Sequence, residues 1–226
     1  FTESYSTFTK VKEGFEVTYL DVEENGILNP EKVKEALRPD TIMVSVMFAN
    51  NEIGTIQPIE EIGKIIQEYR KVQNTRFPFF HTDACQAAGF LDLDVQKLRV
   101  DLLVMNGSKI YGPKGTGALY IRSGVRLRPF FYGGSQEGRR RAGTENIAGI
   151  VGFARALEIA QDEKKKEATR LAELRDLLIA EIQNRIPRTV LNGDPEKRLP
   201  NNVNISILDI EGEAVVLYLD AYGIAC

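Results

Sequence analysis

The chain predicts an α/β fold, a mainly parallel sheet with helices on both faces, followed by the start of a smaller α+β domain. Two observations carry this expectation. Short apolar runs rich in β-branched residues alternate with longer stretches of helical periodicity, the pattern of a parallel sheet joined by crossover helices. Asn51, Asp83 and Lys109 each fall just past the end of a different apolar run, and open α/β sheets gather their ligands at such strand ends. The alternation fades near residue 150. That divides the chain into 1–150, a partial large domain, and 151–226, connecting helices with a partial small domain.

In order along the chain, residues 8–13 predict a helix ended by Gly14. Residues 15–20 alternate apolar and polar and predict a strand. Asn25-Gly26 marks a turn. Asn29 caps a helix through Leu37 that Pro30 opens, because the first helical N–H needs no partner. Thr41 to Phe48 predicts a strand buried on both faces, with residues 50–54 as the loop at its end. Pro58 begins an amphipathic helix to about Val72, with Ile59, Ile62, Ile65 and Ile66 on one face. Pro78 confines the aromatic run to a strand over Phe79–Thr82. Val95 and Leu98 fall in a connection. Leu102–Met105 and Ala118–Ile121 predict two more strands with a tight reversal at 112–117, which lacks the Gly-x-x-x-x-Gly-Lys-Ser/Thr order of a nucleotide loop. Residues 133–146 predict a loop, after which Thr144 or Asn146 caps a helix reaching Leu157. A second long helical region carries Leu171, Leu174, Leu178 and Ile182, and the charged stretch 162–167 between them reads as a solvated helix face. Thr189–Leu191 and Val203–Ile207 predict strands, and Glu211–Tyr222 a helix ended by Gly223.

Composition removes several function classes. With 43% apolar and 27% charged residues the chain is an ordinary globular sequence. A net charge of −3 offers no basic footprint for nucleic acid. No apolar run is long enough to span a bilayer, and no signal peptide opens the sequence. Two lone cysteines, Cys85 and Cys226, fit a reducing, cytoplasmic setting. The single histidine, His81, weighs against a metal site of several His ligands, so no metal is expected. The chain opens on Phe1 and stops at Cys226 directly after an apolar segment, and so reads as a fragment lacking both ends.

A lysine at the end of a buried strand is costly to desolvate unless its charge is used or lost. A lysine that drops its proton suits a Schiff base with an aldehyde cofactor. Pyridoxal 5′-phosphate needs such an amine, a carboxylate at its pyridine nitrogen, and donors for its phosphate and ring oxygen. Lys109 offers the amine and Asp83 the carboxylate. Gln86, one helical turn beyond Asp83, can face the same ligand. Each alone has a plainer reading: a surface or ion-pair lysine, a helix cap, a solvated glutamine. Together with Asn51 they favour a site. Thr144 at a helix start can hold a phosphate or serve as an ordinary cap. Arg139–Arg141 reads as a solvated loop, Cys85 as a small buried residue and His81 as a core histidine.

These residues lie in strings that together resemble the cysteine desulfurases of the pyridoxal-phosphate fold-type I class, in its class V aminotransferase branch. The strings are Ala49-Asn50-Asn51-Glu52-Ile53-Gly54-Thr55, His81-Thr82-Asp83-Ala84-Cys85-Gln86-Ala87, Lys109-Ile110-Tyr111-Gly112-Pro113-Lys114-Gly115, Arg140-Arg141-Ala142-Gly143-Thr144-Glu145-Asn146 and Pro200-Asn201-Asn202-Val203-Asn204. The resemblance implies that Lys109 binds the cofactor aldehyde and later shuttles protons, that Asp83 pairs with the pyridine nitrogen, and that Gln86 hydrogen-bonds the ring oxygen, with Asn51 close to it and to the substrate. It implies phosphate contacts from Asn106 and Ser108, and from Thr144 across a homodimer. The implied reaction converts L-cysteine to L-alanine and leaves a persulfide for a sulfur-acceptor or scaffold protein, in iron–sulfur cluster assembly or thiolation.

The sequence also departs from that family. Ser-x-His-Lys is replaced by Asn106-Gly107-Ser108-Lys109, and Ser4 stands where a ring-stacking histidine is expected. Gly223-Ile224-Ala225-Cys226 matches the stretch before the loop that bears the nucleophilic cysteine, which places that cysteine and the carboxylate-binding arginine beyond Cys226. The fragment itself is therefore expected to be inactive. Rival readings are a selenocysteine lyase or another class V relative, and a non-catalytic dimerising remnant.

Overall fold

Parallel pairing dominates the main sheet. In the computed structural model, which describes residues 14–226, strands β1 (Met43–Met47), β2 (Phe79–Asp83) and β3 (Leu102–Asn106) run parallel, and β4 (Gly117–Ile121) lies antiparallel to β3. The strand order is β1-β2-β3-β4. Met47 sits opposite Asp83, and Asp83 opposite Val104, so the three parallel strands end along one edge. The helix expected at 8–13 and the Ser4 position lie outside the described residues.

Local signals explain the connecting helices. Helix α1 (Pro30–Ala36) starts where the Asn29 side chain accepts the Glu31 N–H at 3.0 Å. Helix α2 (Ile59–Val72) buries Ile59, Ile62 and Ile66 on one stripe and forms the β1–β2 crossover. A single turn, α3 (Val95–Leu98), is capped by Asp94, and a one-turn α4 (Gln136–Arg139) interrupts the polar loop. Helix α5 (Ile147–Arg185) follows, then a two-stranded antiparallel sheet of β5 (Thr189–Leu191) and β6 (Ile205–Ile207), and helix α6 (Gly212–Ala221). None of the described helices is long and apolar enough to cross a membrane.

Side chains alternate across a strand, and this alternation sorts the sheet into two unlike faces. Val44, Val46, Phe80, Leu103, Met105 and Tyr120 share the face that packs with α2 and with Val33 of α1. Phe153, Ala156 and Leu157 of α5 close over Met105 and Ala118 from that same side. The other face carries Ser45, His81, Asp83, Val104 and Leu119, which are half-buried or exposed, together with buried Leu102.

Three sequence expectations change here. Residues 15–20 form no strand in either described sheet. Leu20 of that stretch packs on the core. Strand β1 is not buried on both faces, because it occupies a sheet edge and Met43 and Ser45 face the open side. The two helices expected after residue 146 are one helix of 39 residues. No Gly or Pro interrupts residues 153–186, and ion pairs Arg155–Glu158, Glu167–Arg170 and Glu181–Arg185 line the exposed surface. The helix stops at Ile186, which is extended because Pro187 follows it.

Candidate functional site

The site begins with Asp83, the last residue of β2. Its backbone is stitched on both sides: Phe48 N–H donates to the Asp83 carbonyl at 2.8 Å, and Ala84 N–H donates to Val104 at 2.9 Å. The Asp83 carboxylate accepts the Cys85 N–H at 2.9 Å and thereby starts a tight turn. Ala87 and Ala88 both donate to the Ala84 carbonyl at 3.0 Å, which winds the chain and brings half-buried Gln86 around. No helix follows, so Asp83 opens a run of turns over residues 85–90 rather than capping a helix.

Lys109 ends a short 3₁₀ turn, Gly107–Lys109, directly after β3. Asn106 builds this turn: its side-chain oxygen accepts the Ser108 N–H at 2.9 Å and the Ser108 hydroxyl at 2.8 Å. Gly107 is buried and has no room for a side chain. A Cβ there would lie 2.5 Å from Thr116 Oγ1 and 3.1 Å from the Phe153 ring. Across the contact, a Cβ on Gly152 of α5 would lie 2.7 Å from Pro113 Cγ. The glycines let the Phe153 ring close over the lysine turn and the Pro113 ring lie against the α5 backbone. Lys109 itself is exposed, so the desolvation argument made from its strand-end position does not apply to it in this structure. The turn lifts it clear of the buried strand.

The charges of Asp83 and Lys109 both act on Cys85. Burial pushes the Cys85 thiol up to about 12; hydrogen bonding to the Asp83 carboxylate adds to the shift, and the Lys109 ammonium opposes it. Neither Asp83 nor Lys109 forms an ion pair among the described residues. An acid and a base of opposite charge therefore stand at neighbouring strand ends, and neither is held in an ion pair.

Asn51 is exposed at the apex of the turn after β1. Its neighbour Asn50 faces into the turn, accepting the Glu52 and Ile53 N–H groups at 2.9 Å each. Thr144 is exposed in the loop before α5, and no described contact joins it to the other six candidates. It does not cap the helix. Asn146 does, accepting the Gly149 N–H at 3.1 Å.

His81 was not read as part of this site. Strand parity puts it on the open face with Asp83, and its Nδ1 lies 2.8 Å from Ser45 Oγ of the neighbouring strand. Burial pulls its pKa down and the Asp83 charge opposes that shift. The period-two relation between positions 81 and 83 was the available signal.

The fold and this cluster define a cofactor-type α/β domain, and comparison with known proteins specifies the family. Residues 6–226 match Aminotransferase class-V, and the chain belongs to that family. It is similar to "Cysteine desulfurase IscS" from Dictyoglomus turgidum, with 51% identity over 94% of this chain and 52% of that protein. "Cysteine desulfurase IscS" from Methanosarcina thermophila is 52% identical over 94% of this chain and 50% of its own length. Among solved structures, a "NIFS-LIKE PROTEIN" superposes with a TM-score of 0.91 at 37% identity, over 97% of this chain and 58% of that one. The chain spans about half the length of the curated relatives it matches.

Proposed function

We propose that this chain is the cofactor-bearing part of a pyridoxal-phosphate-dependent cysteine desulfurase that takes L-cysteine to L-alanine and passes sulfur on as a persulfide. The observation that carries the reading is the placement of Asp83 and Lys109, neither of them in an ion pair, at the ends of β2 and β3. The donor set fits the cofactor. Half-buried Asp83 keeps a carboxylate oxygen for a protonated pyridine nitrogen, and exposed Lys109 keeps a free amine for an aldehyde. When bound, pyridoxal phosphate supplies an electron sink for bonds broken at the substrate α-carbon.

The chain's own residues orient and protonate. Asp83 holds a positive charge at the ring nitrogen. Gln86 and Asn51 donate amide hydrogens to the ring oxygen. Lys109 moves protons at its Nζ. The Asn106 side-chain amide can donate to a phosphate, and so can Ser108 once its hydroxyl turns away from Asn106. Thr144 reaches the phosphate of a second copy, which makes the working unit a homodimer. Sulfur transfer to a scaffold or acceptor protein, for cluster assembly or thiolation in the cytoplasm, completes the reading.

Mixing the purified chain with pyridoxal phosphate and recording its visible absorption tests this. The expected result is a protein-bound cofactor band that Lys109→Ala abolishes. No band, or one indifferent to Lys109→Ala, overturns the reading and favours the non-catalytic remnant.

A further inference from the structure

The turn that carries Asn51 is held from outside by the segment between β5 and β6. Asn202 donates its amide to the Glu52 carbonyl at 2.8 Å, and Asn204 donates to the same oxygen at 3.2 Å. Leu199 N–H donates to the Gly54 carbonyl and Ile56 N–H to that of Lys197, each at 2.8 Å. The buried Thr55 hydroxyl donates to the Asn25 carbonyl at 3.0 Å and accepts the Asp194 N–H at 3.1 Å. The contact leaves no slack. A Cβ on Gly54, which has φ +72°, would stand 2.5 Å from Asn202 Cγ, and one on Gly193 would stand 2.8 Å from the Ile53 carbonyl.

Arg198 lies at the centre of this lock. It is 2% exposed, and no carboxylate forms an ion pair with it among the described residues. Its guanidinium instead donates to the carbonyls of Asn192 and of Asp194 (3.0 Å), and to Asn202 Oδ1 at 2.9 Å. Burying a cation without a counter-charge costs more than filling the same space with an apolar side chain. What the arginine achieves, and an apolar residue would not, is to fix which way the Asn202 amide points. With Oδ1 taken by Arg198, Nδ2 is aimed at Glu52.

We propose that Arg198 and Asn202 are positioning residues for Asn51. Asn202, its amide aimed by Arg198, clamps the 50–54 turn through the Glu52 carbonyl, beside the Leu199 N–H on the Gly54 carbonyl, and so holds the Asn51 amide at the strand-end edge where Asp83 and Lys109 lie. The proposal rests on the reading of Asn51 as a cofactor-ring contact.

Two readouts test it in the chain loaded with pyridoxal phosphate: hydrogen exchange at the Glu52 and Ile53 amides, and the pH midpoint of cofactor absorption. Asn202→Ala is expected to speed exchange at both amides about fivefold, the scale of one lost hydrogen bond, and to move the midpoint in the same direction as Asn51→Ala. The double variant should show no further shift. If Asn51→Ala moves the midpoint and Asn202→Ala leaves it in place, the positioning role is overturned while the cofactor reading stands. If Asn51→Ala itself leaves the midpoint in place, the ring contact falls and the positioning role with it. Should Asn202→Ala fail to fold, Asn202→Asp keeps the oxygen that accepts from Arg198, loses the donor to Glu52, and makes the same distinction.

Discussion

Cys85 illustrates how neighbours decide what a residue can do. It lies between two proposed cofactor ligands, yet burial and the Asp83 carboxylate push its pKa to about 12. At pH 8 the thiolate fraction is then on the order of one in 10⁴, too small for a nucleophile. Alkylation of the folded chain at pH 8 is expected to modify only Cys226, which is exposed, with Cys85 joining once the chain is unfolded. Rapid labelling of two thiols in the folded state would contradict this. His81 behaves as a base whose folded pKa is lowered, mainly by burial, from the ordinary 6.5. Its contribution to stability is therefore full above about pH 6.5 and is lost as pH falls through the lower folded value. Replacing it with Gln should flatten the stability profile on that acid side, as read from urea midpoints at pH 7 and pH 5. For Asp83, the change to Asn removes a charge-assisted hydrogen bond worth about 1.5–3 kcal/mol. Pyridoxal phosphate titrations should then show affinity weakened about 10- to 100-fold, and an unchanged affinity would remove Asp83 from the site.

At the scale of elements, the lysine turn depends on α5 as much as on β3. Gly149 and Gly152 face Thr116 and Pro113 so closely that a Cβ on either would fall 2.7 Å from a side-chain carbon. Gly152→Ala should therefore force the 107–116 loop off the helix, at an overpacking cost of about 1–3 kcal/mol. Lower thermal stability together with weaker cofactor binding is the expected result, and unchanged binding would show that Lys109 does not need the helix. This contact was invisible in the sequence, where Gly-Pro-Lys-Gly reads only as a reversal. Elements whose signals are local were legible: Asn29-Pro30 at a helix start, the isoleucine stripe of α2, the strand ends at Asp83 and Lys109. What failed depended on distant partners. Residues 15–20 carry strand alternation but no described strand pairs with them, β1 is apolar yet lies at an edge, and the charged stretch at 162–167 continues a helix that looked divided. The candidate site rests on the order of its motifs, whereas the placement of His81 beside Asp83 needed the sheet's parity.

At the scale of the molecule, the edge of the sheet opposite the site is tied by one carboxylate. Asp101, 2% exposed, precedes β3 and accepts the Phe80 N–H of β2 at 2.7 Å. It pairs with Arg70 of α2, and with Arg122, just past β4, at 3.1 Å. Both arginines also donate to backbone carbonyls, Arg70 to Pro78 and Arg122 to Val100. One acid thus joins the last turn of α2, the N-terminal ends of β2 and β3 and the C-terminal end of antiparallel β4, while the functional groups sit at the C-terminal ends of β2 and β3. Removing a single partner from such a buried network leaves two cations and an N–H uncompensated, at a cost of about 3–5 kcal/mol. The partial exposure of Arg70 and Arg122 argues for the lower end of that range. Asp101→Ala should lower the urea midpoint accordingly and leave the cofactor spectrum of the folded fraction unaltered, because no group of the network reaches the strand-end edge. A spectral change without a stability change would mean that the two edges of the sheet are not mechanically separate, and that the anchor belongs to the site.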